Sequence, residues 1–169
     1  LRYENASLSF NLSDGSPLSR VYPGLFPSAY LTYTPKKGLE FQGSYSMRVN
    51  RPRERALNPV IDYSNPQSLR KGNPELKPEI THSVELSAVQ YSRKGSISAA
   101  IYAKRTDGMF SRYLTVEPNG ILMMTWENFD LRQRIGASGN AMLRFSKTLS
   151  IQASADAFYT EISGENLQV

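Results

Sequence analysis

Leu39-Glu-Phe-Gln-Gly-Ser-Tyr-Ser-Met-Arg-Val-Asn50 alternates almost without a break. Leu39, Phe41, Gly43, Tyr45, Met47 and Val49 fall on one side, and Glu40, Gln42, Ser44, Ser46, Arg48 and Asn50 on the other. Period two over such a length marks a β-strand with one apolar and one polar face. Twelve residues at about 3.3 Å each reach about 40 Å, and a tilt near 45° projects them onto roughly 28 Å, close to the apolar thickness of a bilayer. A globular strand is usually half as long.

Weaker copies of the pattern follow along the chain. Ile80, His82, Val84, Leu86 and Ala88 form one stripe, and Ile97, Ala99, Ile101 and Ala103 another. Leu131, Ile135, Ala137, Ala141, Leu143 and Phe145 oppose Arg132, Arg134, Ser138, Asn140 and Arg144, and Ile151 to Tyr159 repeats the motif. With Arg2 to Leu12 and Leu25 to Thr34, the sequence predicts an all-β antiparallel meander of about seven long strands. Three connections are short: residues 34–38, 92–95 and 146–148. The alternate ones, residues 13–24, 51–78 and 107–130, are long, and the last holds a predicted small hairpin, Met109 to Val116 and Ile121 to Phe129. Short turns at one end and long loops at the other are the layout of a transmembrane β-barrel, with periplasmic turns and extracellular loops. A soluble all-β binding or adhesion module, for a ligand or a glycan, is the alternative that seven alternating strands also permit.

Composition narrows the classes. The 169 residues contain ten Tyr and seven Phe but one Trp, a β-favouring bias, and no Cys, which excludes disulfides and thiolate chemistry. No apolar run reaches the roughly 18 residues of a membrane helix, so a membrane protein made from this chain is a barrel. The net charge of +5 is spread along the chain rather than gathered in one block, which argues against a nucleic-acid partner. There is no nucleophile elbow, phosphate-gripping glycine loop or paired-His metal motif. The expectation is a non-enzyme without cofactor or metal. His82, a single imidazole, reads as a strand residue rather than a ligand.

The loop from Arg51 to Glu79 is the most distinctive segment. Asn58-Pro59, Asn65-Pro66 and Asn73-Pro74 each set a turn-forming Asn before a residue of fixed φ, which predicts a shaped loop rather than a floppy one. Its order of motifs, Arg51-Pro52, Asn58-Pro59, Asn65-Pro66, then Gly72-Asn73-Pro74-Glu75-Leu76-Lys77-Pro78-Glu79, resembles the barrel of TonB-dependent outer-membrane receptors. The nearest family is the Bacteroidetes-type outer-membrane β-barrel family, and the similarity spans about residues 25–163.

The resemblance implies a bacterial outer-membrane transporter of a scarce nutrient: a siderophore, vitamin, oligosaccharide or peptide. Residues 1–169 would be a single partial-barrel segment without the plug, serving as wall and as extracellular ligand gate. The implied partners are outer-membrane lipid, a small-molecule or oligomeric nutrient, the TonB complex through missing parts of the parent chain, and an outer-membrane lipoprotein. Haem-uptake relatives carry a histidine between the R-P and N-P-x-L elements, and this chain has none between Arg51 and Pro74. That argues against haem.

The candidate substrate-loop residues are Arg51, Arg53, Arg55, Asn58, Tyr63, Asn65, Arg70 and Asn73. The candidate lumen-facing residues are Glu40, Gln42, Arg48, Glu85, Arg132, Arg134 and Arg144. Arg48, Arg51, Arg53 and Arg55 together fit an anion funnel. The simpler reading is a solvated loop whose arginines pair with Glu54 and with surface anions. Tyr22, Phe26, Tyr30, Tyr63, Tyr113, Trp126 and Phe129 fit a ligand site, or more simply an interfacial girdle or loop packing.

Overall fold

The computed structural model describes residues 1–11, 17–118, 120–129, 131–146 and 148–163. Six strands form one antiparallel meander: β3 (Ser28–Lys36), β4 (Leu39–Asn50), β6 (Glu79–Ser92), β7 (Gly95–Asp107), β10 (Leu131–Arg144) and β11 (Ser150–Ser163). Each neighbours the next in spatial order. The last four are 13 or 14 residues long, well beyond an ordinary globular strand.

The turns at one end are tight. β3 and β4 are joined by Lys37-Gly38, and Gly38 adopts φ +86°, a conformation that a residue with a Cβ seldom takes. β6 and β7 are joined by Arg93-Lys94. At the opposite end lie residues 51–78 and 108–130. The first carries a one-turn helix, α1 (Glu54–Leu57), and a short strand, β5 (Ser68–Arg70). The second carries the hairpin of β8 (Phe110–Val116) and β9 (Leu122–Asn128), where the sequence places it. Asn119 of its turn, and Asp130 after it, lie outside the described residues.

The N-terminal region departs from the sequence expectation. Residues 13–24 read as a long loop, yet Pro17–Phe26 is strand β2, and it pairs along its whole length with β1 (Arg2–Asn11). Residues 12–16 lie outside the described residues. The predicted strand Leu25 to Thr34 is divided at Pro27 between β2 and β3. Pro17, Pro23 and Gly24 look like turn residues, but a two-stranded ribbon consists of edge strands, where proline is tolerated. The β1–β2 ribbon is a separate sheet from the meander.

Register separates the meander into two faces. One row of facing positions runs Leu31, Gly43, Leu86, Ile101, Ala137, Ala157, and the row beside it runs Ala29, Tyr45, Val84, Ala103, Ile135, Tyr159. These apolar rows are open to the surroundings, with Leu86 56%, Ile101 60% and Ile135 59% exposed. The aromatic residues of this face are Tyr33, Phe41, Tyr45 and Tyr159, not those singled out from the sequence. All seven proposed lumen residues, Glu40, Gln42, Arg48, Glu85, Arg132, Arg134 and Arg144, share the other face by the same register.

Candidate functional site

The two long loops are bound into one module. β5 runs parallel to β9, pairing Ser68 with Leu122, Leu69 with Met123 and Arg70 with Met124. The Lys71 amide donates to the Met124 carbonyl at 2.9 Å and the Leu122 amide to the Gln67 carbonyl at 3.2 Å. The Asn128 side chain joins the loops at their base. Its Oδ1 accepts from the Lys77 amide at 2.9 Å, and its Nδ2 donates to the Lys77 and Gly108 carbonyls at 3.1 and 2.7 Å. Glu79, buried where β6 begins, accepts from Asn50 Nδ2 and from the Phe110 amide, both at 2.9 Å.

Beneath these bonds is a small apolar core. Leu57 and Leu76 are wholly buried and Ala56 nearly so, with Leu8, Phe110 and Trp126 packed against them. Gly72 is required here by contact: a Cβ would come within 2.4 Å of the Asn58 carbonyl oxygen and 2.9 Å of that of Ala56. The three Asn-Pro pairs shape the loop as the sequence predicts. Asn58, Asn65 and Asn73 each accept, through Oδ1, the amide two residues on, at 3.1, 3.0 and 2.9 Å. Asn73 also donates to the Trp126 carbonyl at 3.0 Å.

Between loop 51–78 and the β8–β9 hairpin lies a cavity of about 640 Å³. That volume falls within the range of small-molecule sites. Its wall contains Arg51, Arg53, Arg55, Arg70, Lys71 and Arg112, six cations, against one carboxylate, Asp62. Hydrogen bonds from the Ser64 hydroxyl and amide hold Asp62 below the usual carboxylate range, helped by the charges of Arg70 and Arg55. Phe110, Met124 and Trp126, with Ala56 and Val60, supply the apolar part of the wall. Arg112 stands opposite Trp126 in register, with its guanidinium 5.5 Å from the ring centroid, and Phe110 meets Trp126 edge-on at 6.2 Å.

Of the residues proposed from sequence, Arg51, Arg53, Arg55, Asn58 and Arg70 line this cavity. Arg48 is absent from the lining, as are Tyr63, Asn65 and Asn73; Asn65 and Asn73 shape the backbone instead. Arg51 pairs with Glu4 at 2.8 Å, and among the described residues no ion pair joins this cluster to Glu54. Trp126 takes part in the cavity wall, Phe26 and Phe129 are buried, and Tyr30 lies on the polar face of the meander. Lys71, Arg112, Phe110 and Met124 were not foreseen as site residues. Lys71 follows Arg70 directly in the chain, whereas Arg112, Phe110 and Met124 become neighbours of the arginines through the parallel β5–β9 pairing, which leaves no motif in a chain read linearly.

A meander of strands this long, with an exposed apolar face, short turns at one end and a loop module at the other, defines a segment of an outer-membrane β-barrel. The chain belongs to the outer membrane protein beta-barrel family, whose model matches residues 1–169, and it is a protein of the bacterial outer membrane. No curated protein matches it at a significant level. Among solved structures, it is similar to the siderophore receptor PirA from Pseudomonas aeruginosa. The TM-score is 0.69 at 16% identity, over 85% of this chain and 27% of that one. It is also similar to a point mutant of the ferric enterobactin receptor PfeA from Pseudomonas aeruginosa, in complex with enterobactin (TM-score 0.62, 14% identity, 83% and 22% covered). A third is the siderophore receptor PirA from Acinetobacter baumannii (0.58, 16%, 88% and 24%). The likeness establishes the fold, and the chain spans 27%, 22% and 24% of these receptors' lengths.

Proposed function

We propose that this chain forms part of the wall and the extracellular ligand gate of a TonB-dependent receptor that takes up a small anionic nutrient. The observation that carries the reading is the cavity held between the two long loops, with six cations and one carboxylate on its wall. The loops of outer-membrane barrels that exceed a tight turn face outward. A cationic concavity there raises the local concentration of anions, and its aromatic side adds a flat apolar contact. The apolar rows of the meander would face lipid. The face bearing Glu40, Gln42, Arg48, Glu85, Arg132, Arg134 and Arg144 would look into the lumen, where Arg134 lies over Phe158 at 4.4 Å and donates to Thr160 at 3.0 Å.

Ligand bound by the loops would pass along this polar wall, energised through TonB and assisted by any lipoprotein partner at the surface. No step of the process needs bond chemistry from the residues of the cavity. The reading is tested by depletion of solutes from a defined nutrient mixture, followed by mass spectrometry, in cells with and without the gene. It predicts that one or a few anionic solutes are taken up only by cells carrying the gene, and that an uncoupler abolishes the difference. Equal depletion by both strains, or a difference insensitive to the uncoupler, would overturn it.

A further inference from the structure

Arg51 is only half partnered, and the unpartnered half has a specific shape. Its Nη1 donates to Glu4 Oε2 at 2.8 Å, and its guanidinium lies 5.8 Å from the centroid of the buried Phe26 ring. The remaining nitrogens, Nε and Nη2, are shut off from solvent and have no hydrogen-bond partner among the described residues. These two belong to the same edge of the guanidinium plane. Their N–H bonds run side by side, the arrangement that donates to both oxygens of a carboxylate or phosphate. Buried charged donors are ordinarily satisfied, so an orphaned pair on an arginine that also lines a cationic cavity calls for an explanation.

The β1–β2 ribbon lies against Arg51 through Glu4 and Phe26. By register Glu4, Ala6 and Leu8 share a face with Arg20, Tyr22 and Phe26. That face meets the loop through the Glu4–Arg51 pair, an Arg20–Glu75 pair at 3.6 Å, and Leu8 against the loop core. Tyr22 Oη on the same face is likewise buried without a partner. Of the two ion pairs, Arg20–Glu75 reaches an exposed carboxylate and so adds little, and the polar atoms left unmatched beneath the ribbon cost stability when it docks.

Resting on the receptor reading above, we propose that Arg51 anchors the ligand's paired anionic oxygens through its Nε–Nη2 edge, and that the β1–β2 ribbon is the cover that lifts to admit them. Arg53, Arg55, Arg70, Lys71 and Arg112 supply the attracting field, while Arg51 supplies the two-point geometry. Glu4 is the internal carboxylate that holds Arg51 in place and lowers its pull on an outside anion.

The test is calorimetric titration of the purified protein in detergent with phthalate, a flat dianion, using dimethyl phthalate as the uncharged control. Wild type is expected to bind phthalate saturably, more weakly as sodium chloride rises, and not to bind the ester. Arg51→Lys keeps the charge but loses the paired donors, and should weaken binding by about tenfold or more. Glu4→Gln keeps a hydrogen-bonding partner for Arg51 but removes the competing charge, and should strengthen binding by about threefold. The opposite signs are diagnostic.

If Arg51 merely holds the ribbon, both variants shift binding the same way; if water alone satisfies its edge, Arg51→Lys binds like wild type. Either result, or no saturable binding of phthalate by wild type, overturns the proposal. Should Arg51→Lys not fold, Arg51→Gln takes its place and is expected to weaken binding by at least as much; binding equal to or tighter than wild type overturns the proposal. Solute uptake that needs the gene but is unchanged by Arg51→Lys would remove the anchor and leave the receptor reading standing.

Discussion

The six-stranded meander and the loop module at its end solve the burial problem in opposite ways. In the meander, large apolar side chains such as Leu86, Ile101 and Ile135 stand more than half exposed, and every residue of β3 is exposed. In the loop module, Leu57 and Leu76 are the largest side chains to disappear entirely from the surface among the described residues. The meander is ordered by its backbone ladder and needs lipid to cover its apolar face. The loops cannot use lipid and instead carry a miniature core of the globular kind, closed by side-chain bonds to backbone groups. Each region should therefore fail under a different insult.

Leu57→Ala empties a fully enclosed site and should destabilise the loop module by about 2–5 kcal/mol. Limited proteolysis of the protein in detergent should then cut within residues 51–78 and 108–130, while the long strands stay protected. Leu86→Arg strikes the other region. It places a charge on the apolar face, at a cost of about 2–4 kcal/mol near the bilayer midplane. Heat-modifiable migration on gels should show lost membrane assembly, and normal assembly would reverse the assignment of faces.

Gly72→Ala drives a methyl into the Asn58 and Ala56 backbone and should cost about 1–3 kcal/mol. Its effect is confined to the loops, and it should abolish anion binding without changing assembly. The smallest effect is that of acid. The folded pKa of Asp62 is depressed, so the stability it contributes is present above its unfolded value, about 3.9, and is lost as pH falls through the lower folded value. Proteolytic sensitivity near residues 62–70 should rise below that range in wild type and be independent of it in Asp62→Asn.

The same contrast explains what could be read from the chain in advance. Strand β4 was legible to the residue, because alternation is local and the apolar face repeats at every second position. The Asn-Pro pairs were legible for a similar reason: each Asn bonds only two residues onward. Strand β1 was legible, but β2 was missed because Pro17, Pro23 and Gly24 imitate a loop, and only pairing with β1 reveals a strand. The sequence picked out Arg51, Arg53, Arg55, Asn58 and Arg70, the part of the cavity wall that comes from one loop. Arg112 and Trp126 come from a hairpin more than forty residues further along, brought in by Leu122, Met123 and Met124 pairing with β5. Long-range parallel pairing of three residues has no periodic signature strong enough to read.

The two long loops, bonded across β5 and β9, should fold as one body, independent of the meander. Hydrogen exchange on Leu76→Ala in detergent tests it most directly. Amides of Lys71 and Leu122, which bond across the two loops, should lose protection together and to the same degree, while those of β6, β7 and β10 keep theirs. Retained protection at Leu122 after Lys71 is lost, or parallel loss in the three long strands, would contradict it.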